Sequence, residues 1–143
     1  MKNTLWKSQV RGGEILSILM VLVLAWAAPV EARKCGGAKA CACGDTVVRD
    51  HILTRSLGPC PGVGLRLTAG VTLDGNGESI QGTGNQVGVV LDEKAGGAVV
   101  RNLEVSGFKR GVRLAGVRGA RLENVQSHHN GDRTTAVLSL IHI

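Results

Sequence analysis

Two stretches of the chain carry nearly the same pattern 22 residues apart, and that period constrains the fold more than any other feature. The first runs Ala98-Val99-Val100-Arg101-Asn102-Leu103-Glu104-Val105, the second Ala120-Arg121-Leu122-Glu123-Asn124-Val125-Gln126-Ser127. Apolar or small residues fall at 98/120, 100/122, 103/125 and 105/127, with asparagine at 102/124. Just outside them, Gly88-Val89-Val90-Leu91 matches Gly111-Val112-Arg113-Leu114 at a spacing of 23. Repetition at such a period signals a solenoid, in which each unit buries its apolar face against its neighbours. The unit is too long for hexapeptide or nonapeptide coils and lacks the LxxLxL core of leucine-rich repeats.

The local signals within the units are those of strands. Leu65-Arg66-Leu67 and Val71-Thr72-Leu73 alternate with period two, and Asp45 to Leu57 suits a short strand or two. No window carries a helical stripe. Asp74-Gly75-Asn76-Gly77 and Gly82 to Gly84 read as turns, and Gly58-Pro59-Cys60-Pro61-Gly62 as the strongest break in the chain. The expected fold is all-β, a right-handed parallel β-helix with coils of about 22 residues and about three short strands per coil. Residues 98, 100, 103 and 105 would point inward, with their counterparts stacked one coil above. Val100 and Leu103 straddle two residues, so the chain can bend there and keep both side chains inside. Asn102 and Asn124 occupy the bend, where asparagine tolerates left-handed backbone angles and its amide can bond the next coil. Stacked in this way they would form an asparagine ladder.

Three segments, GVTLDGNGESIQG (70–82), AVVRNLEVSGFKRGVRL (98–114) and ARLENVQSHHNGD (120–132), resemble coils of bacterial right-handed parallel β-helix repeat proteins of the pectate-lyase-like superfamily. CGDTVVRDHILTRSLGPCPG (43–62) resembles the entry segment that precedes the first coil in many exported members. The resemblance implies the fold. It leaves activity open, because that superfamily holds lyases, hydrolases, epimerases and adhesins.

The chain opens like an export signal. Lys2, Lys7 and Arg11 form a positive region, Ile15 to Ala28 is apolar but for Ser17, and Val30-Glu31-Ala32 offers small residues for cleavage. The apolar run is shorter than the roughly 20 residues of a membrane span, so no stable span is expected after cleavage. No lipobox precedes Cys35. The four cysteines, Cys35, Cys41, Cys43 and Cys60, all follow this segment. An even count in an exported chain reads as two disulfides with three pairings open. The pairing expected is Cys43–Cys60 with Cys35–Cys41. A loose metal site is the other reading, although the spacing lacks the CxxC pairs of structural zinc sites.

The organisation expected is a signal sequence at 1–32, a disulfide-containing cap and entry segment at 33–66, β-helix coils at 67–137, and a foreign tail at 138–143. The tail, Leu138 to Ile143, does not continue the repeat and matches a translation of CTGTCTCTTATACACATC, a transposase mosaic end used as a sequencing adapter. On that reading the chain is an N-terminal fragment of three or four coils.

No catalytic set is visible. A β-helix lyase needs clustered carboxylates for calcium and an Arg or Lys base, and a hydrolase needs two or three Asp on adjacent coils. Asp74, Asp92 and Glu93 do not recur at the coil period, and Glu104 and Glu123 lie 19 apart. All of these, with Asp132, read as solvated turn carboxylates. His128 and His129 are adjacent, and adjacent strand residues point to opposite faces, so the pair is not expected to share an ion. No cofactor is expected.

Removing residues 1–32 leaves 14 basic against 9 acidic side chains. Arg101, Lys109, Arg110, Arg113, Arg118, Arg121 and Arg133 make the repeat region basic, a face that suits an anionic polysaccharide. Neutral sugars need aromatic surfaces, and after residue 32 only Phe108 is aromatic in the sense of Phe, Trp or Tyr. Nucleic acid is not expected without aromatic platforms. The functional expectation is an exported protein that recognises or processes extracytoplasmic polysaccharide. A non-catalytic adhesin-like scaffold is the alternative, and a copper-site maturation factor on related coils a third reading. Nothing in the sequence sets an oligomeric state.

Overall fold

The computed structural model describes residues 32–131 and 136–142, with backbone pairing alone for the second stretch. The segment read as an export signal, all but Ala32, lies outside the described residues, as do Asp132 and Arg133. The architecture is a parallel β-solenoid of about 4 turns.

Strand β1 (Lys34–Cys35) precedes the first coil, which holds β2 (Thr46–Val47), β3 (His51–Ile52) and β4 (Leu57–Cys60). The second coil holds β5 (Leu65–Leu67), β6 (Thr72–Asp74) and β7 (Ser79–Gly82). In the third, β8 (Val87–Leu91) is followed by a single 3-10 turn at Glu93–Ala95 and the long β9 (Val99–Ser106). The fourth repeats this with β10 (Arg110–Leu114) and β11 (Arg121–His128). One sheet runs β1-β2-β5-β8-β10, and the other stacks β3, β6, β9 and β11 in order, with β4 and β7 pairing beside them. The segment 33–66 therefore supplies four whole strands and most of β5 to the same sheets as the later coils.

The register matches the sequence period. Leu103 pairs with Val125 and Val105 with Ser127, 22 residues apart, while Val89 pairs with Val112 at 23. All eight inward positions are buried, from Ala98 at 0% to Ser127 at 8% exposure. They form columns through the stack: Val71, Ala98 and Ala120; His51, Leu73, Val100 and Leu122; Leu57, Ile80, Val105 and Ser127. Each fully buried Val or Leu contributes about 1.5–3 kcal/mol of hydrophobic stabilisation. His51 is the polar first rung of its column, and its Nδ1 lies 3.2 Å from the Gly37 carbonyl.

A glycine column faces the third of these. Gly64, Gly88 and Gly111 stack at the entry to β5, β8 and β10. A Cβ on Gly88 would collide with Val105 Cγ1, and one on Gly64 would lie 2.9 Å from Ile80 Cγ2. The absent side chains leave the space that Ile80 and Val105 occupy. This is why Gly-Val recurs at 88 and 111.

Two disulfides hold the N-terminal end, Cys35–Cys41 and Cys43–Cys60. They fit an oxidising, extracytoplasmic environment. Among the described residues no helix is long and apolar enough to cross a membrane.

One element departs from the sequence reading. Gly58-Pro59 does not break the chain but lies inside β4, whose register with β7 shifts between Leu57 and Cys60. Among the described residues β4 pairs with β7 alone, and such an edge or bulge is where a strand tolerates proline. The last strand, β12 (Ala136–His142), runs antiparallel to β11 and so does not continue the parallel stack.

Candidate functional site

The bend in β9 and β11 organises the polar outer surface. Asn102 and Asn124 take left-handed φ angles of 51° and 50°, which turns the chain between Val100 and Leu103 and again between Leu122 and Val125. Each asparagine is thereby aimed along the stack. Asn124 Nδ2 donates to Asn102 Oδ1 at 3.0 Å, and Asn102 Nδ2 donates to Asp74 Oδ1 at 3.2 Å. The ladder therefore has a third rung, a carboxylate.

Asp74 is not a solvated turn residue. Its side chain is 15% exposed, accepts from the Asn76 backbone N–H at 2.9 Å, and meets Arg101 Nε at 2.9 Å. Burial pushes its pKa up, but the Asn76 amide, the Asn102 amide and the Arg101 guanidinium together outweigh it, and the net shift is downward. A carboxyl whose pKa falls on folding stabilises the fold above its ordinary value of 3.8 and loses that contribution as pH falls through the folded value. Asp74→Asn is therefore expected to lower stability at pH 7 and to flatten the acid limb below about pH 4. Urea unfolding midpoints from pH 7 to pH 2 check this. Parallel curves for the two proteins would contradict it.

The outer charges on this face are largely matched. Asp74, Arg101 and Glu123 stand in register on three successive coils, and Arg121 Nη2 lies 3.2 Å from Glu123 Oε1. Glu104 and Glu123 do not stack: the partner of Glu104 is Gln126, and that of Glu123 is Arg101. Asp92 caps the 3-10 turn by accepting from Lys94 N at 2.9 Å, and Glu93 is exposed. Ser56 Oγ donates to Glu78 Oε2 at 2.7 Å and accepts from Ser79 N at 3.0 Å, which joins the first two coils.

His128 and His129 depart from the sequence expectation. His129 takes φ of 51°, so it leaves the strand instead of continuing its alternation. The two rings meet edge-on, with Nδ1 atoms 2.6 Å apart. On its far side His128 Nε2 contacts Glu104 Oε1 at 2.9 Å. Among the described residues no group of three or more His, Cys, Asp or Glu side chains could hold a metal ion.

Two concavities are lined by described residues throughout. A small one of about 110 Å³ lies along the ladder, lined by Gly77, Asn102, Leu103, Glu104, Asn124 and Gln126, with room for a few waters. A larger open cleft of about 510 Å³ lies at the turns leading into β5, β8 and β10. Pro61, Gly62, Asn85, Gln86, Val87, Lys109 and Arg110 line it, and no carboxylate is among these residues. Lys109 and Arg110 are exposed there, beside the amides of Asn85 and Gln86. Arg113 and Arg118 are exposed elsewhere on the coils. Phe108, the one Phe, Trp or Tyr among the described residues and so the candidate sugar platform, is buried in the core.

Set beside known proteins, the chain matches no family model, no curated protein and no solved structure.

Proposed function

We propose that this chain is an exported solenoid of the right-handed parallel β-helix kind that recognises an anionic extracytoplasmic polysaccharide. The observation that carries this reading is the open cleft, whose charged lining residues are Lys109 and Arg110. Its two flanking amides suit hydroxyl and carboxylate groups of a uronate chain. The disulfide-bonded N-terminal end and the signal-like residues 1–32 support a place outside the cytoplasm. Recognition is favoured over processing, since Asp74 and Glu123 stand in register with Arg101, and Glu104 with Gln126, so these carboxylates do not stack on one another. The same observation favours a non-catalytic scaffold as the second reading.

Binding of the full chain to polygalacturonate, measured by affinity electrophoresis against a neutral dextran, tests the proposal. Binding to the acidic polymer alone is expected, weaker at high salt. Lys109→Ala should weaken it about threefold to fivefold, the effect of losing one exposed ion pair. Equal retention by dextran, or no change in the variant, would remove the polysaccharide reading and leave the scaffold.

A further inference from the structure

We propose that His128 and His129 form a solvent-facing two-nitrogen chelate for a divalent transition metal, with Glu104 as the residue that positions it. The inference does not depend on the polysaccharide reading. It rests on three features of the end of β11.

The first is tautomer logic. A carboxylate only accepts hydrogen bonds, so the 2.9 Å contact requires His128 Nε2 to carry a proton and donate to Glu104 Oε1. In the neutral ring this leaves a lone pair on Nδ1, facing His129 Nδ1 at 2.6 Å. One proton, on His129 Nδ1, satisfies both atoms in the metal-free chain. A metal can take its place, with that proton passing to His129 Nε2 in solvent, so neither ring changes charge.

The second is the bite. At metal–nitrogen distances of about 2.0–2.1 Å, two nitrogens at a right angle stand about 2.9 Å apart. The observed 2.6 Å needs only a small opening. His129 is exposed and His128 is 28% exposed, so the rings have room to rotate.

The third is preorganisation. His129 O accepts from Gly107 N at 3.2 Å, Asn130 Oδ1 accepts from Phe108 N at 3.0 Å, and Gly131 N donates to Phe108 O at 2.8 Å. These bonds pin the left-handed turn to the coil before it. A carboxylate that holds the far nitrogen of a ligating histidine is the usual outer partner of such a site. Water would fill the remaining positions. Imidazole pairs suit zinc, copper and nickel, whereas magnesium and calcium prefer oxygen ligands.

Titration of the full chain with zinc chloride by calorimetry, alongside long-range proton–nitrogen spectra of the histidine rings, tests this. One equivalent is expected to bind through both Nδ1 atoms, and magnesium is expected to give no heat. His128→Ala and His129→Ala should each weaken binding more than about tenfold, and Glu104→Gln about tenfold. Unchanged circular dichroism would show that the variants keep the fold. Wild-type affinity in His129→Ala, or metal carried on Nε2, would overturn the site. Wild-type affinity in Glu104→Gln would overturn the positioning role.

Discussion

Phe108→Ala is expected to cost about 3–5 kcal/mol, the range for removing a buried aromatic ring. Phe108 is among the largest fully buried side chains, at 1% exposure, and it sits in the connection between β9 and β10. Its ring lies over glycine backbone from two earlier turns. A Cβ on Gly82 would come within 2.5 Å of Phe108 Cδ1, and one on Gly88 within 3.0 Å of Cδ2. No side chain at those positions can swing in to fill the vacancy, so the site collapses poorly and the cost stays near the upper end. Stability of most single domains is about 5–15 kcal/mol, so the loss is a large fraction of the whole. Urea unfolding followed by circular dichroism measures it, and Phe108→Leu should recover part of the loss. A cost under about 1 kcal/mol would show that the ring does not fill the core as described.

Removal of Cys43–Cys60 by paired serine substitution is expected to cost about 3 kcal/mol, from the chain entropy released by opening a loop of 17 residues. Cys60 is fully buried and Cys35 and Cys41 are nearly so, so serine in either pair also places a hydroxyl in the core, and the difference between the pairs rests on loop length. The Cys35–Cys41 pair closes only 6 residues, and its removal should cost less, about 2 kcal/mol. Comparing the two double-serine variants by thermal unfolding checks the order. A larger loss from the Cys35–Cys41 variant would refute it.

Much of the fold could be read from the residues because each coil meets the same restriction at the same place. Val100 and Leu122 are both inward rungs of one column, and Asn102 and Asn124 both turn the same bend, so a 22-residue offset exposes them together. Asp74 escaped that comparison. Its coil turns through Gly75 to Glu78 where the later coils turn through two residues, and the 3-10 turn at Glu93–Ala95 lengthens the path into β9, so the carboxylate stands 28 residues before Asn102. A fixed period does not find a rung displaced by a longer turn. The convergence of His128 and His129 was hidden for a different reason. Period-two reasoning assumes extended backbone, and one positive φ at His129 cancels it. The cleft was dispersed in the sequence among 61–62, 85–87 and 109–110, which only stacking brings together.

The Cys43–Cys60 bond encloses β2, β3 and the body of β4, which is one whole circuit of the solenoid. That circuit is a covalent ring, whereas the later circuits are joined to their neighbours by hydrogen bonds and packing. In a stack where each unit touches only those beside it, loss of structure proceeds from an end. The ring cannot be peeled open from the N-terminal side without first breaking a covalent bond. Unwinding under tension, and attack by proteases on frayed turns, are thus directional: they advance from the later coils toward the ring and stop there.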